Sequence, residues 1–325
     1  MHPNRRDLVA ILMTLVGSLL AGGDARAQAW PQRTVRLIVP LPPGTAVDVT
    51  ARVYSERLAS MWGQPVIVEN LPGADGLIAA REFVGRRDDH TLLYSFAGLV
   101  TINPLNYATL PYDPARDLVP IAASSDNFLA IAVSPKLAVG TLADLLKLAR
   151  SRAEKINWAA TAGLPYIAFA GFQKDSGVEM VYVPYRDFNP ALADLKEGRI
   201  GVVSTSLSQL LPHEQAGNLK LVAVINRTRC PLAPNVPTAA ELGYPDLAFD
   251  GITGFFGWRD ISAALRERIA ADVRSVAAQP AVVARFEAIG VVARSGTSAE
   301  FAAAIEEQRV KVAKVVAVIG THPAP

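Results

Sequence analysis

Short runs of β-branched and apolar residues recur along this chain, and segments with the three-and-four spacing of amphipathic helices separate them. Such runs, each bounded by Pro, Gly or polar residues, predict buried strands. Alternating strands and helices predict an α/β fold with mostly parallel sheets and helices on both faces. The predicted strands cover residues 35–39, 66–68, 91–94, 130–133, 157–160, 181–183, 200–203 and 219–225.

The helical segments each show one apolar face. In the first segment, the apolar positions at spacings of three and four are Ala51, Tyr54, Leu58 and Met61. Thr297, followed three residues later by Glu300, predicts a capping box at the start of the last helix. The apolar stripe of that helix is Phe301, Ile305, Val312 and Val316.

The length of the chain bears on the number of lobes. The chain has 325 residues, of which 50% are hydrophobic. A chain of this length exceeds the usual size of a single core, which favours two lobes. The sequence contains no internal repeat and no Gly/Ser linker, so we expect the chain to pass between the lobes through ordered crossings.

The first residues have the composition of a secretory signal. Arg5 and Arg6 precede an apolar run over residues 8–20, and the small-x-small triplet 25–27 follows. This order predicts a signal peptide of residues 1–27, cleaved near Ala27, and an exported protein. The run is shorter than the roughly 20 residues of a membrane span. A short buried helix is the alternative, and the export route, general secretory or twin-arginine, stays open.

The charge balance argues against a nucleic-acid partner. Lys and Arg together number 32 and Asp and Glu 30, so the formal net charge is +2. Nucleic-acid binding needs Lys and Arg clustered on one face, and the sequence has no such run. Cys230 is the only cysteine, so we expect no internal disulfide in the exported chain.

The sequence shows no motif for catalysis or for a cofactor. It has no Walker loop, no GxSxG elbow and no dinucleotide-binding glycine pattern, and the short segment 73–76 is too brief a match. We therefore predict no metal, no cofactor and no enzymatic activity. The histidines, none of which has metal-ligand spacing to another ligand, are His2, His90, His213 and His322.

The loop after the first predicted strand is the strongest candidate for a binding site. A proline pair and Gly44 lead directly into a helix. Free N–H groups in the first turn of a helix, at the positive end of its dipole, can bind a carboxylate. The alternative is that Thr45 and Asp48 only cap the helix. Other strand-to-helix loops of similar character, each individually more typical of an ordinary connection, cover residues 95–98, 161–166, 184–191 and 204–206.

Five ordered blocks carry a family resemblance. They are WPQRTVRLIVPLPPGTAVDVTAR, GQPVIVENLPGADGLIAA, TINPLNYATLPYDPARDLVPIA, VPYRDFNPALADLKEGRI and PNVPTAAELGYP. Together they resemble the Bug family of extracytoplasmic solute receptors, which is associated with tripartite tricarboxylate transporters. The resemblance covers essentially the whole chain after the predicted signal peptide.

The resemblance implies a type II periplasmic-binding-protein-like fold, in which two doubly wound α/β lobes joined by two hinge crossings close on a ligand. We expect lobe 1 to contain residues 28–128 and 252–325, and lobe 2 to contain residues 129–251. The implied function is a monomeric periplasmic receptor that captures a small carboxylate-bearing metabolite in the interlobe cleft. Its implied partners are the permease subunits of a tripartite tricarboxylate-type transporter, or a sensor kinase.

The resemblance also implies which residues form the site. In the family, main-chain groups and ordered waters at the first loop hold one carboxylate of the ligand, and loops of both lobes complete the contacts. The corresponding residues of this chain are Pro42, Pro43, Gly44, Thr45, Ala46, Asp48, Phe96, Ala97, Gly98, Thr161, Ala162 and Gly163.

Three positions depart from the family pattern. The first loop has a single glycine, and Tyr166 lies near a position that is usually His. Thr205 occupies a candidate ligand-binding position where Asp is frequent, so a distal ammonium or hydroxyl group of a ligand loses a partner, which disfavours aspartate-like ligands. Phe96 and Phe188 would suit an apolar or aromatic acid, unless both belong to the core. Two other functions stay open, an enzyme on the same bilobal fold and an orphan receptor whose altered loops bind no carboxylate.

Overall fold

The computed structural model describes residues 30–151, 155–185 and 187–320, so the predicted signal peptide lies outside the described residues. The strands are β1 Val35–Val39, β2 Val66–Asn70, β3 Thr91–Phe96, β4 Val119–Asn127, β5 Leu129–Val133, β6 Asn157–Ala160, β7 Val181–Tyr182, β8 Val202–Ser206, β9 Lys220–Val224, β10 Gly251–Gly257 and β11 Val291–Ala293. They form two sheets, one with six strands in the order β11-β4-β10-β3-β1-β2 and one with five in the order β7-β6-β8-β5-β9.

Helices connect the strands and cover both faces of each sheet. Each sheet with the helices packed on it is called here the six-stranded unit or the five-stranded unit. The helices are α1 Ala46–Trp62, α2 Leu77–Arg86, α3 Gly98–Thr101, α4 Asn103–Asn106, α5 Leu142–Ser151, α6 Leu164–Ser176, α7 Phe188–Glu197, α8 Leu207–Gln215, α9 Ala263–Ala277, α10 Pro280–Glu287 and α11 Ser298–Ile319.

Alternate residues of the central strands enter separate cores. In β1, Leu37 packs into one apolar cluster and Ile38 into another. In β5, Ile131 packs into one apolar cluster of the five-stranded unit and Ala132 packs into the other. Because successive side chains of a strand point to opposite faces, each sheet is buried on both sides. This is the doubly wound arrangement that the sequence predicts.

The prediction of mostly parallel sheets is wrong. Of the pairings described, β1 with β2, β1 with β3, β6 with β7 and β6 with β8 are parallel. The other five pairings are antiparallel. The parallel pairs lie within the runs β1 to β3 and β6 to β8, where a helix follows each strand, and local alternation in the sequence reveals such runs. The antiparallel strands β4, β5 and β10 flank the passages between the sheets, and their direction depends on contacts far apart in the sequence.

Two local predictions are also wrong. Met61 is 42% exposed, and Trp62 takes its place in the core of the six-stranded unit. The indole N–H of Trp62 donates to Asp272 Oδ2 at 2.7 Å, which ties the end of α1 to α9. The predicted buried strand 181–183 is a two-residue edge strand, and Val181 is 44% exposed. Because side chains of a strand point to the faces of its sheet, this exposure shows that no helix or loop covers the face of β7 at Val181.

The predicted capping box and stripe of the last helix are confirmed. Thr297 and Glu300 form the reciprocal hydrogen bonds of the box. Phe301 and Ile305 pack in the six-stranded unit, whereas Val312 and Val316 pack in the core of the five-stranded unit. The helix α11 therefore spans both units. The chain also passes between the two units after β4 and before β10. The residue limits given for the two lobes stay a prediction.

Within the described ranges 30–151, 155–185 and 187–320, no helix combines the length and the apolar character that crossing a bilayer requires.

Candidate functional site

A cleft of about 1310 Å³ lies between the two units. The loops that follow β1, β2 and β3 form one wall, and the loop after β6 and the start of α8 form the other. Asn127 and Thr253, from the passages between the sheets, line the floor. The volume exceeds the ~300–1,000 Å³ of typical small-molecule pockets, which leaves room for the walls to approach each other around a ligand.

The loop after β1 is shaped by its own hydrogen bonds. Gly44 has a φ of 86°, a left-handed conformation that glycine adopts without steric cost. The Gly44 amide donates to Asp48 Oδ2 at 2.8 Å, and the Thr45 hydroxyl donates to the Pro42 carbonyl at 2.9 Å. The Asp48 amide donates to Thr45 Oγ1 at 3.4 Å, so Thr45 caps α1. The capping role that the sequence left as an alternative is therefore present.

Capping leaves two amides of α1 without partners. The amides of Gly44, Thr45 and Asp48 all have acceptors. Among the described residues, the amides of Ala46 and Val47 donate no hydrogen bond, and both residues line the cleft. Because the first N–H groups of a helix have no partner within the helix, these two donors are available to a ligand.

Asp48 stands behind this loop and does not line the cleft. Its carboxylate is buried, accepts from Asn70 Nδ2 at 2.9 Å and pairs with Arg52 at 3.0 Å. Burial acts to raise the pKa of this carboxyl, but the hydrogen bonds outweigh it, that of Arg52 most, and the pKa lies below its ordinary value. Asp48 is thus a charged anchor that holds the loop in shape.

The loop after β6 supplies the opposite wall. Thr161, Ala162 and Gly163 all line the cleft, and Gly163, with a φ of 84°, directly precedes α6. No acceptor in the described part of the chain lies within hydrogen-bonding distance of the amides of Ala162, Gly163 or Leu164. A second helix therefore begins at the cleft with unpaired donors.

Thr205 lies one layer deeper. It is fully buried, and its hydroxyl is 3.1 Å from the hydroxyl of Thr161. It is not among the cleft-lining residues. Thr205 therefore positions Thr161 and has no exposed surface to offer a ligand.

Phe96, Ala97 and Gly98 line the cleft beside the first loop. The Ala97 amide donates to the Ile252 carbonyl at 3.0 Å, which joins this loop to β10. A Cβ on Gly98 would lie 2.9 Å from the Phe96 ring, so the ring can pack this closely only against glycine. Phe188 packs in the core of the five-stranded unit and does not line the cleft.

Sequence reasoning missed the polar floor of the cleft. Ser206 Oγ donates to Asn127 Oδ1 at 2.6 Å and is 2.7 Å from Ser208 Oγ. All three residues line the cleft. The predicted loop 204–206 was the only sequence signal for this region, because Asn127 and Ser206 meet only when both sheets are assembled.

The charge of the lining is unusual for an anion site. The lining residues from the described part of the chain include Asp75 and Glu287 but no Lys, Arg or His. In the same described ranges, no group of three or more His, Cys, Asp or Glu residues could hold a metal ion. An anion in this cleft would meet neutral donors and helix N-termini.

A family model for the tripartite tricarboxylate transporter family receptor matches residues 50–321. The chain belongs to this receptor family. A UPF0065 protein of Bordetella bronchiseptica is 31% identical over 96% of this chain and 93% of its own length. Protein BugT of Bordetella pertussis is 31% identical over 75% of this chain and 76% of its own length. The predicted resemblance to the Bug family is confirmed.

Solved structures show the same fold. A periplasmic transporter has a TM-score of 0.77 at 29% identity and covers 89% of this chain and 98% of its own. An R. palustris protein with adipate has a TM-score of 0.80 at 27% identity, covering 91% and 100%. MatC from Rhodopseudomonas palustris, with bound malate, has a TM-score of 0.75 at 26% identity, covering 88% and 100%. The predicted bilobal α/β fold and receptor class are confirmed, and the individual site residues stay a prediction.

Proposed function

We propose that this receptor binds one carboxylate group of a small organic acid through the amides of Ala46 and Val47, and closes its two units around the ligand. The observation that carries the proposal is that these two donors, at the start of the 17-residue helix α1, are unpaired and line the cleft. A helix N-terminus carries a partial positive charge, so it favours an anion without help from a basic side chain.

The second wall completes the proposed site. The unpaired amides that precede and begin α6 lie on the five-stranded unit, across the cleft from α1. A ligand that contacts both walls favours the closed arrangement, because it binds that arrangement more tightly than the open one. The proposed ligand contacts are therefore the amides of Ala46 and Val47, beside the lining residues Gly44 and Thr45, on one wall and Thr161, Ala162 and Gly163 on the other. Asp48 and Thr205 are positioning residues.

The family supports the wider role. Related structures hold adipate and malate, and one is described as a periplasmic transporter. We infer that this chain acts as a monomer in the periplasm after loss of residues 1–27, and that it releases its acid unchanged to the permease subunits of a tripartite tricarboxylate transporter. Receptors of this class bind and release their ligands, so we infer no enzymatic step.

Ala46→Pro tests the proposal at one hydrogen-bond donor, the backbone amide of residue 46. Proline removes the amide hydrogen but is well suited to the first position of a helix. The preceding residue, Thr45, already has the extended conformation, φ −71° and ψ 158°, that a following proline requires. We expect the stability without ligand to change little, and the affinity for the best-bound acid of a carboxylate screen to fall about tenfold or more, since a hydrogen bond to a charged group contributes ~1.5–3 kcal/mol.

Ala263→Pro is the matched control. It makes the same change at the first position of α9, after Ser262 with φ −64° and ψ 147°, away from the cleft. Affinity by isothermal titration calorimetry and stability by thermal unfolding are measured for both variants. Unchanged affinity in Ala46→Pro, or an equal loss in Ala263→Pro, would contradict the proposed carboxylate site.

A further inference from the structure

The walls of the cleft suit a ligand with a single negative charge. Asp75 and Glu287 are the charged side chains among its described lining residues. A second carboxylate on the ligand would find no cation among the described lining residues to pair with, and it would lie close to fixed negative charge. Like charges brought together in a partly desolvated site cost several kcal/mol.

Asp75 is held in an uncommon backbone conformation. Its φ of 49° and ψ of 33° are left-handed, and its neighbours Gly73, Ala74 and Gly76 also have positive φ. Asp and Asn tolerate this conformation better than most residues, although it still costs them energy. The Asn103 side chain donates to the Asp75 carbonyl at 3.1 Å and so fixes the backbone.

The carboxylate of Asp75 is fixed as well. The Tyr107 hydroxyl donates to Asp75 Oδ2 at 2.8 Å. Burial raises the pKa of Tyr107 to about 12, and Asp75 adds to the shift, so the phenol remains a proton donor at neutral pH. Among the described residues, the Tyr107 hydroxyl is the one donor that forms a hydrogen bond with the Asp75 carboxylate, so Oδ1 accepts none. The side chain therefore presents a positioned, partly unsatisfied acceptor at the cleft wall.

We propose that Asp75 is a specificity-determining residue, which selects a monocarboxylate carrying a hydrogen-bond donor, ammonium or hydroxyl, away from its carboxylate and rejects a second carboxylate. The inference rests on the proposed function, because it requires that the first carboxylate of the ligand bind at the start of α1. Where the family often has an Asp side chain in the five-stranded unit, this chain has Thr205. In this proposal, Asp75 of the six-stranded unit supplies the carboxylate instead.

Ligand sets of equal length separate the possible distal groups. One set is butyrate, 4-hydroxybutyrate, 4-aminobutyrate and succinate, and the other is hexanoate, 6-hydroxyhexanoate, 6-aminohexanoate and adipate. We expect the native chain to bind a donor-bearing member of one set about tenfold or more tightly than the dicarboxylate of that set. The amino and hydroxy members show which donor is preferred.

Asp75→Asn removes the negative charge but should preserve the loop. Asn tolerates the left-handed conformation, and its side-chain carbonyl can still accept the hydrogen bond from Tyr107. We expect the dicarboxylate to gain about tenfold in this variant and the donor-bearing acid to lose, while the plain monocarboxylate changes less than about twofold. Glu82→Gln is the control, since it removes one negative charge from the exposed face of α2, outside the cleft.

The outcomes distinguish this inference from the proposed function. The inference would be overturned if dicarboxylates bound the native chain as tightly as donor-bearing acids and if Asp75→Asn left the ranking of the ligand affinities unchanged. If Ala46→Pro still weakened those same dicarboxylates, the proposed function would stand. Absence of binding by any acid in either set would overturn the inference, and absence of binding across the whole carboxylate screen would overturn the proposed function as well. An equal change of order in Glu82→Gln would show a general charge effect and would also overturn the role of Asp75.

Discussion

Asp48 joins three parts of the chain at the start of α1. Its carboxylate accepts from the Gly44 amide of the loop, from Arg52 one turn further along the helix, and from Asn70 at the end of β2. Asn70 in turn donates to the Leu41 carbonyl at 2.9 Å. The loop that presents the free amides is therefore held by a buried charge behind it.

Asp48→Asn is expected to weaken both folding and binding. The amide side chain keeps one acceptor oxygen, so it cannot serve Gly44, Arg52 and Asn70 together. We expect a loss of about 1–3 kcal/mol in the free energy of unfolding, and a clear loss of affinity because the loop is no longer held. Urea unfolding and calorimetry measure the two effects.

Asp144→Asn is a close control for this change. Asp144 accepts from the Gly140 amide, four residues earlier, and from the Thr141 hydroxyl, but on the exposed start of α5. We expect this variant to retain full affinity. Equal losses of affinity in both variants would contradict a specific role for Asp48 at the site.

The pH dependence of stability follows from the same carboxylate. Because the pKa of Asp48 in the folded chain lies below its ordinary value of 3.8, the unfolded chain takes up a proton first as the pH falls. The contribution of Asp48 is therefore fully present above the unfolded value and is lost as the pH falls through the folded value. Between neutral pH and pH 3, the native chain should lose more stability than Asp48→Asn, and parallel curves would contradict the assignment.

Sequence reasoning at this scale depends on local signals. Gly44, Thr45 and Ala46 follow one another where a strand leads into a helix, and that order alone predicts the candidate anion site. Asp75 was missed because its role depends on Tyr107, which lies 32 residues further along the chain. A hydrogen bond between separate loops leaves no periodic pattern in the sequence.

At the scale of elements, the contact between α6 and α11 joins the C-terminal helix to the five-stranded unit. Gly171 of α6 lies at this contact, and a Cβ at that position would come within 2.6 Å of Val315 Cγ1. The helical periodicity of α11 predicts its buried stripe correctly. It does not reveal that the two ends of the stripe enter different cores, because that depends on where the second unit lies.

Gly171→Ala should lower stability although alanine favours helix formation. The better propensity contributes about 1 kcal/mol, whereas forcing a methyl group into a packed contact costs about 1–3 kcal/mol. The same substitution should become stabilising in a Val315→Ala background, where the opposing methyl groups are gone. A double-mutant cycle by urea unfolding measures the coupling.

Gly85→Ala provides the reference for propensity alone. A Cβ at Gly85 in α2 meets no atom within 4 Å, so we expect a gain of up to about 1 kcal/mol. If Gly171→Ala stabilised the chain as much as Gly85→Ala does, the close packing of α6 on α11 would be contradicted.

At the scale of the whole molecule, the described residues link the two units through two chain passages and through α11. The helices on each sheet could be predicted from local periodicity, whereas the antiparallel strands β4 and β10 could not, since their partners are distant in sequence. The cleft floor is built from these same passages. Asn127 and Thr253 therefore became visible only with the assembled fold, whereas the candidate loop 204–206 already included Ser206.

Closure requires that one ligand contact both walls, and hydrogen exchange can test this. With a bound acid we expect slower amide exchange in residues 44–49 and also in residues 161–166, because donors on both walls become paired or shielded from water. Residues 263–270 of α9, away from the cleft, serve as the internal reference. At a free ligand concentration about 100 times Kd, the free energy of unfolding should rise by about 2.7 kcal/mol if only the folded chain binds. Slower exchange confined to residues 44–49 would show that the acid binds the α1 wall alone, without closure of the two units.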